Sequence, residues 1–231
     1  MNALWITRMS EYRTSINCID SARNIIAIKI SRQNILLKKY DRAYVDKNIT
    51  KKNSLNDIFL EEARVAKKFW REFGSLTPQW LNFQTRKPRS GDITNTLLDI
   101  GYHHVCGVIS SILERHSISP ALGLLHIART SKSKPLVYDL VEMFRSDIVD
   151  SEILRFLRLK KKEIVSIEKE VGHFLHNINM RLERKYYLKN FKTCHTYRYY
   201  MELQILSFIS AINHKRAFNP IHLPARHEHR C

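Results

Sequence analysis

The chain has 231 residues, with 39 Lys and Arg against 22 Asp and Glu, a net charge of +17 and an isoelectric point near 9.9. At 44% hydrophobic it can bury a core, while six glycines and six prolines leave it poor in turns. Global disorder, an all-β architecture and a glycine-loop nucleotide enzyme are therefore disfavoured, and a helical protein with a polyanionic partner is favoured.

Residues 20–40 alternate apolar and basic groups at helical spacing: Ile25, Ile26, Ile28, Ile35 and Leu36 against Lys29, Arg32, Lys38 and Lys39. Residues 41–53 read as a polar loop, and Ser54 or Asn53 as the N-cap of a helix from Leu55 to about Phe73. Residues 74–91 hold Pro78, Pro88 and two glycines and form a long connection. Thr94 to about His116 is a further apolar-periodic helix. Pro120 takes a helix N1 position for a short turn ending near His126. Ala128–Lys134 is small, polar and basic, and Pro135 opens a helix through about Phe144. Helical stretches follow near 151–161, 164–188 and 195–215, then an extended tail from Asn219. The fold class is all-α, with one helical domain over 1–218 and a basic, His-rich tail over 219–231.

The charge is uneven. Residues 1–90 carry 18 basic and 8 acidic side chains, residues 91–150 carry 5 and 7, and residues 151–231 carry 16 and 7. A slightly acidic centre thus lies between two basic flanks. No segment approaches the ~20 apolar residues of a membrane span, and Met1–Ser10 has no signal-peptide core. Cys18, Cys106, Cys194 and Cys231 are scattered and form no C-x-x-C, which reads as a reduced, cytoplasmic protein without a structural zinc site.

Two acids stand in unexpected places. Drawn at ~100° per residue, the helix over 55–73 puts Leu55, Ile58, Phe59, Ala66, Phe69 and Phe73 on one face and Asp57, Glu61, Arg64, Lys68 and Arg71 opposite. Glu62 falls within the apolar face, while Glu61 points to solvent. A buried carboxylate needs a cation, a donor or a metal, so Glu62 is either a buried ion-pair member or a ligand. The helix from Pro135 is apolar except for Asp139, Glu142 and Arg145, which share one stripe lining a cleft, an ion or an internal Glu–Arg network. His126 ends an apolar segment just before the basic loop, as a cap, a core residue or a ligand. Glu62, His126 and Glu142, with Asp139 beside them, form a possible site for a hard divalent ion. Manganese or magnesium suits that donor set, and phosphodiester chemistry suits such a site in a basic protein.

Five segments resemble the CRISPR-associated adaptation integrase (Cas1) family. They are the helix over Arg8–Tyr40 with Lys29-Ile-Ser-Arg-Gln33, the run Glu62-Ala-Arg-Val-Ala-Lys-Lys-Phe-Trp70, the runs Asn95–Tyr102 and Pro120–His126, and Leu136–Arg145 leading to Val149-Asp150. Their order and approximate spacing match the family over most of residues 8–150. The resemblance implies a mostly helical catalytic domain whose metal ligands are Glu62, His126 and Glu142, with Asp139 and Arg145 as catalytic support. It implies manganese or magnesium as cofactor, and DNA as partner: the 3′-hydroxyl of a short foreign duplex attacks a phosphodiester at a CRISPR repeat boundary. Metal-dependent DNA cleavage is the same chemistry with water as nucleophile. Family members carry an N-terminal β-rich domain that helps pair subunits. The expectation here is a short form without it, acting as a homo-oligomer because two strand joinings need two sites, with Cas2 as a possible partner.

The tail residues His222, His227, His229 and Cys231, with His214, read as a flexible basic tail rather than a zinc site. Tyr186, Tyr187, Tyr197, Tyr199 and Tyr200 lie among Arg184, Lys185, Lys189, Lys192 and Arg198, a mixture suited to holding splayed DNA ends, although about half of these tyrosines are expected to pack. The competing class is a non-catalytic DNA-binding or scaffold protein, or an inactive fragment of the integrase.

Overall fold

The structure, a computed structural model, describes residues 3–43, 48–160, 167–188 and 192–221. These residues are mostly helical: α1 (Ala3–Arg13), α2 (Ile16–Lys38), α3 (Leu55–Leu76), α4 (Ile93–Arg115), α5 (Pro135–Val141), α6 (Ser151–Leu159), α7 (Ile167–Leu182) and α8 (Tyr197–Asn213). Short 3₁₀ turns occupy Asn48–Lys51 and Gln79–Leu81, and one π-helical turn, Ser146–Asp150, leads directly into α6. Local chemistry sets the helix starts. Ser54 accepts from the Asp57 amide at 3.1 Å and caps α3, Asp92 accepts from the Asn95 amide at 2.9 Å and caps α4, and Pro135 sits in the first turn of α5.

Helix α2 packs on α3 and on the π turn, while α4 packs on α5, α7, α8 and the same turn. The acidic segment 135–150 therefore touches both of the longest helices. The core is continuous, from Trp5 and Met9 in α1 to Phe208 and Phe218 near the end of the described chain. Gly101 lets α4 approach closely: a Cβ there would come within 2.5 Å of Val149 Cγ1.

Several expectations need correction. The single helix over Arg8–Tyr40 implied by the resemblance is two helices, α1 and α2, broken at Thr14-Ser15, and α2 begins four residues before the start that periodicity gives. Pro120 starts no helix; residues 116–134 are turns and bends. The expected helices over 164–188 and 195–215 give up their facing ends to a hairpin. Strands β1 (Lys185–Leu188) and β2 (Thr193–Thr196) pair antiparallel, Lys185 opposite Thr196. Short runs rich in Tyr and Thr suit a strand once tertiary pairing is available, and helical windows absorb them. The two neighbouring acids are exchanged: Glu61, expected in solvent, is 6% exposed and paired with Arg64 at 2.5 Å and Lys52 at 3.8 Å, whereas Glu62, expected within the buried face, is half-buried. The buried face of α3 runs through Ile58, Glu61, Val65, Phe69 and Phe73, and Phe59, assigned to the apolar face, is 41% exposed. Cys18 and Cys106 are free thiols as expected, whereas Cys194 is disulfide-bonded. Among the described residues no helix is long and apolar enough to cross a membrane.

Candidate functional site

The site is organised around a buried lysine. Lys29 lies in the middle of α2 among Ile25, Ile26 and Ile30 and is 4% exposed. Its Nζ donates to Oε1 of Glu62, from α3, and to Oε2 of Glu142 at 2.7 Å, just past the end of α5. The two carboxylates singled out on separate helices thus meet on one cation. Glu142 also accepts from Arg145, whose Nη1 lies 3.0 Å from Oε1. Burial alone raises the Glu142 carboxyl pKa, but the charges of Arg145 and Lys29 outweigh it and hold the carboxyl at about 2.

Arg145 is fixed in turn. Its guanidinium lies over the Tyr102 ring, 4.4 Å from the centroid, and Nη2 donates to the Tyr102 hydroxyl at 3.1 Å. The Tyr102 hydroxyl donates to Asp150 Oδ1, and Ser146 donates to Asp150 Oδ2 at 2.9 Å. Burial dominates at both ends of that bond and raises the pKa of Tyr102 and of Asp150.

Asp139 is fully buried and faces a different environment. Its carboxylate accepts from the backbone amides of Leu124, Leu125 (3.2 Å to Oδ2) and His126 (3.0 Å to Oδ1). His126 Nδ1 lies 2.7 Å from Oδ1. A carboxylate can only accept, so Nδ1 carries the hydrogen, and in the neutral imidazole Nε2 has the lone pair that a further partner would use. Burial lowers the imidazole pKa, but the Asp139 bond and charge and the Glu142 charge together raise it. Gly123 makes the wrap possible: a Cβ there would lie 2.6 Å from Asp139 Oδ2 and 2.9 Å from the His126 carbonyl. The His126 side chain is 37% exposed, with Phe59 and Tyr138 edge-on to its ring.

The stripe expected on the helix from Pro135 is therefore divided: Asp139 turns to the 123–126 loop, while Glu142 and Arg145 pair. Glu62 and Glu142 converge, and His126 lies within electrostatic reach of Glu142. Among the described residues no three His, Cys, Asp or Glu side chains form a ready-made metal cage. The donor chemistry nevertheless fits a divalent ion: two carboxylates already gathered on a positive centre, and an imidazole with a free nitrogen held by a carboxylate behind it. Sequence reasoning missed Lys29 as a site member, although a lysine within an isoleucine run carries the same signal as Glu62. It also gave Tyr102 and Asp150 no role. Of the tyrosine group, Tyr186, Tyr197 and Tyr200 pack inside and Tyr199 is 41% exposed, stacked on His195 with centroids 4.1 Å apart. Lys189, His222, His227, His229 and Cys231 lie outside the described residues.

The family model for the CRISPR associated protein Cas1 matches residues 2–191. The chain belongs to the Cas1 family. Among its relatives is the CRISPR-associated endonuclease Cas1 1 of Saccharolobus solfataricus, 27% identical over 179 residues, 71% of this chain and 50% of that protein. The CRISPR-associated endonuclease Cas1 of Mycobacterium tuberculosis is 28% identical over 156 residues, 61% of this chain and 45% of that protein. The chain spans about half the length of these Cas1 relatives. Its fold is similar to that of a casposase bound to integration product, with a TM-score of 0.80 at 18% identity, covering 94% of this chain and 67% of that one. It is likewise similar to a Cas1 protein from Thermotoga maritima, with a TM-score of 0.78 at 18% identity, covering 92% and 71%. A third likeness is to a Cas6-RT-Cas1–Cas2 complex, with a TM-score of 0.79 at 16% identity, covering 96% and 27%. The mostly helical character expected from composition agrees with these folds.

Proposed function

We propose that this chain provides the catalytic helical domain, over residues 1–218 with a basic tail over 219–231, of a divalent-metal-dependent DNA integrase and endonuclease of CRISPR adaptation. The supporting observation is the convergence of Glu62 and Glu142 from separate helices on one buried cation, beside a histidine held by Asp139. Glu62, Glu142 and His126 Nε2 would hold manganese or magnesium, which when bound polarises a phosphoryl oxygen and acidifies an attacking hydroxyl or water. Asp139 is a positioning residue in this scheme, because its oxygens are taken by loop amides and by His126. Arg145 holds Glu142 ionised and oriented. The basic flanks bind the DNA backbone.

In joining, the 3′-oxygen of the short duplex forms a bond to a target phosphorus. The bond from that phosphorus to the target strand's own 3′-oxygen breaks, and the attacking hydroxyl gives up its proton as the leaving oxygen gains one. Hydrolysis follows the same course with water as the attacking group. Two joinings on opposite strands call for two copies, so the working form is a homo-oligomer, with a Cas2-type partner as a further candidate.

The test is joining of a short duplex with 3′-hydroxyl ends to supercoiled, repeat-bearing DNA. Glu142→Ala and excess chelator should each abolish product. Full joining by Glu142→Ala with metal binding intact would remove the site assignment. A binding-only reading draws on the lack of a preformed three-ligand cage among the described residues. It predicts tight, salt-sensitive DNA binding with no product in any divalent metal.

A further inference from the structure

We infer that Lys29 is a built-in competitor of the divalent cation, occupying the carboxylate pair that the cation needs and leaving it when the cation binds. The inference rests on the metal reading of Glu62 and Glu142 given above. Three observations carry it. First, Lys29 Nζ bonds one oxygen of each carboxylate at once, so its position is where an ion shared by the two acids would be drawn. Second, both Glu142 oxygens are engaged by cations, Oε2 by Lys29 at 2.7 Å and Arg145 at 3.2 Å, and Oε1 by Arg145 at 3.0 Å, so a metal that takes an oxygen here shares it with a like charge unless one cation withdraws. Third, the two cations differ in freedom. Arg145 is clamped by the Tyr102 ring and hydroxyl, whereas Lys29 is a compact charge on a four-carbon stem whose bonds here are the two carboxylates.

Charge balance points the same way. The carboxylates of Glu62 and Glu142 are matched by the charges of Lys29 and Arg145. A divalent ion added to that largely buried set leaves it with excess positive charge unless Lys29 departs, and excess charge at a mostly buried site is costly. The competition predicts that metal binds more weakly than the bare donor set allows, and that loading turns the Lys29 ammonium out of its buried position.

The experiment uses the whole 231-residue chain. Manganese is titrated calorimetrically into the wild type and Lys29→Met, with folding checked by circular dichroism. Removing the competing charge should tighten manganese binding by about tenfold or more, the scale of a strong coupling between two ligands, and should lower the melting temperature in chelator. A purely structural lysine predicts the opposite sign, since losing it would loosen the site and weaken metal binding. Equal or weaker binding by folded Lys29→Met overturns the inference while leaving the metal reading intact. No binding by either protein overturns both. A wild-type measurement stands independently of how the variant folds: acylation of the Lys29 amine, read by mass spectrometry, should be faster with manganese than in chelator. An unchanged or slower rate overturns the competition.

Discussion

Two acids one helical turn apart, Asp139 and Glu142, are neutralised in opposite ways. Asp139 is held by the backbone of its own neighbourhood, with donors only 13 to 15 residues away in sequence and a glycine that clears room for them. Glu142 is held by side-chain cations, one of them delivered by α2 from near the start of the chain. Backbone donors cannot leave without unfolding the loop, whereas a lysine can swing away. The first arrangement makes a fixture and the second an exchangeable pairing, which is the reason the proposed ligand is Glu142 and the proposed support of His126 is Asp139.

Asp139→Ala attacks the fixture most directly. It strands three buried amides and frees the imidazole, so about 3–5 kcal/mol of stability should be lost in denaturant titration, and strand joining should fall at least ~10-fold. Survival of near wild-type stability would show that the loop does not depend on this acid. Gly123→Ala pushes a methyl group against the same carboxylate and a backbone carbonyl, and should cost about 1–3 kcal/mol by the same measurement. On the exchangeable side, Tyr102→Phe keeps the ring beneath Arg145 but removes the hydroxyl shared with Asp150, and about 1–2 kcal/mol should go.

The smallest effect is in pH. Because the folded Glu142 carboxyl lies near 2, below its ordinary value, its contribution is complete above the ordinary carboxylate range and drains away as pH falls toward 2. In chelator, the wild-type melting temperature should drop a few degrees more than that of Glu142→Gln between about pH 5 and pH 3, the size expected for about 1 kcal/mol. Parallel curves would show that the cations do not favour the ionised form.

The sequence made parts of this site legible and hid others for identifiable reasons. Glu62, Asp139, Glu142 and Arg145 stand out because an acid or base on an apolar face is anomalous whatever the tertiary structure. Lys29 has the same anomaly, but its stem can reach water, and periodicity does not say which face of α2 meets α3. Glu61 and Glu62 differ by one residue, so a modest rotation of α3 about its axis exchanges the buried acid for the half-buried one. The Asp139 fixture was invisible because it depends on the path of a loop, and the hairpin because its strands are four residues long. The helical architecture was legible because the long apolar-periodic segments dominate the chain.

The position of Lys29 also has a consequence for how the protein is made. Synthesis runs from the N-terminus, so α2 leaves the ribosome with Lys29 and Arg32 well before Glu142 and Asp147, their partners in the finished fold, exist. When segment 135–150 emerges, its acids cover those charges and the same face becomes interior. In the finished fold, therefore, the charge of Lys29 is covered first by an acid 33 residues on, Glu62, and only later by one more than a hundred residues away.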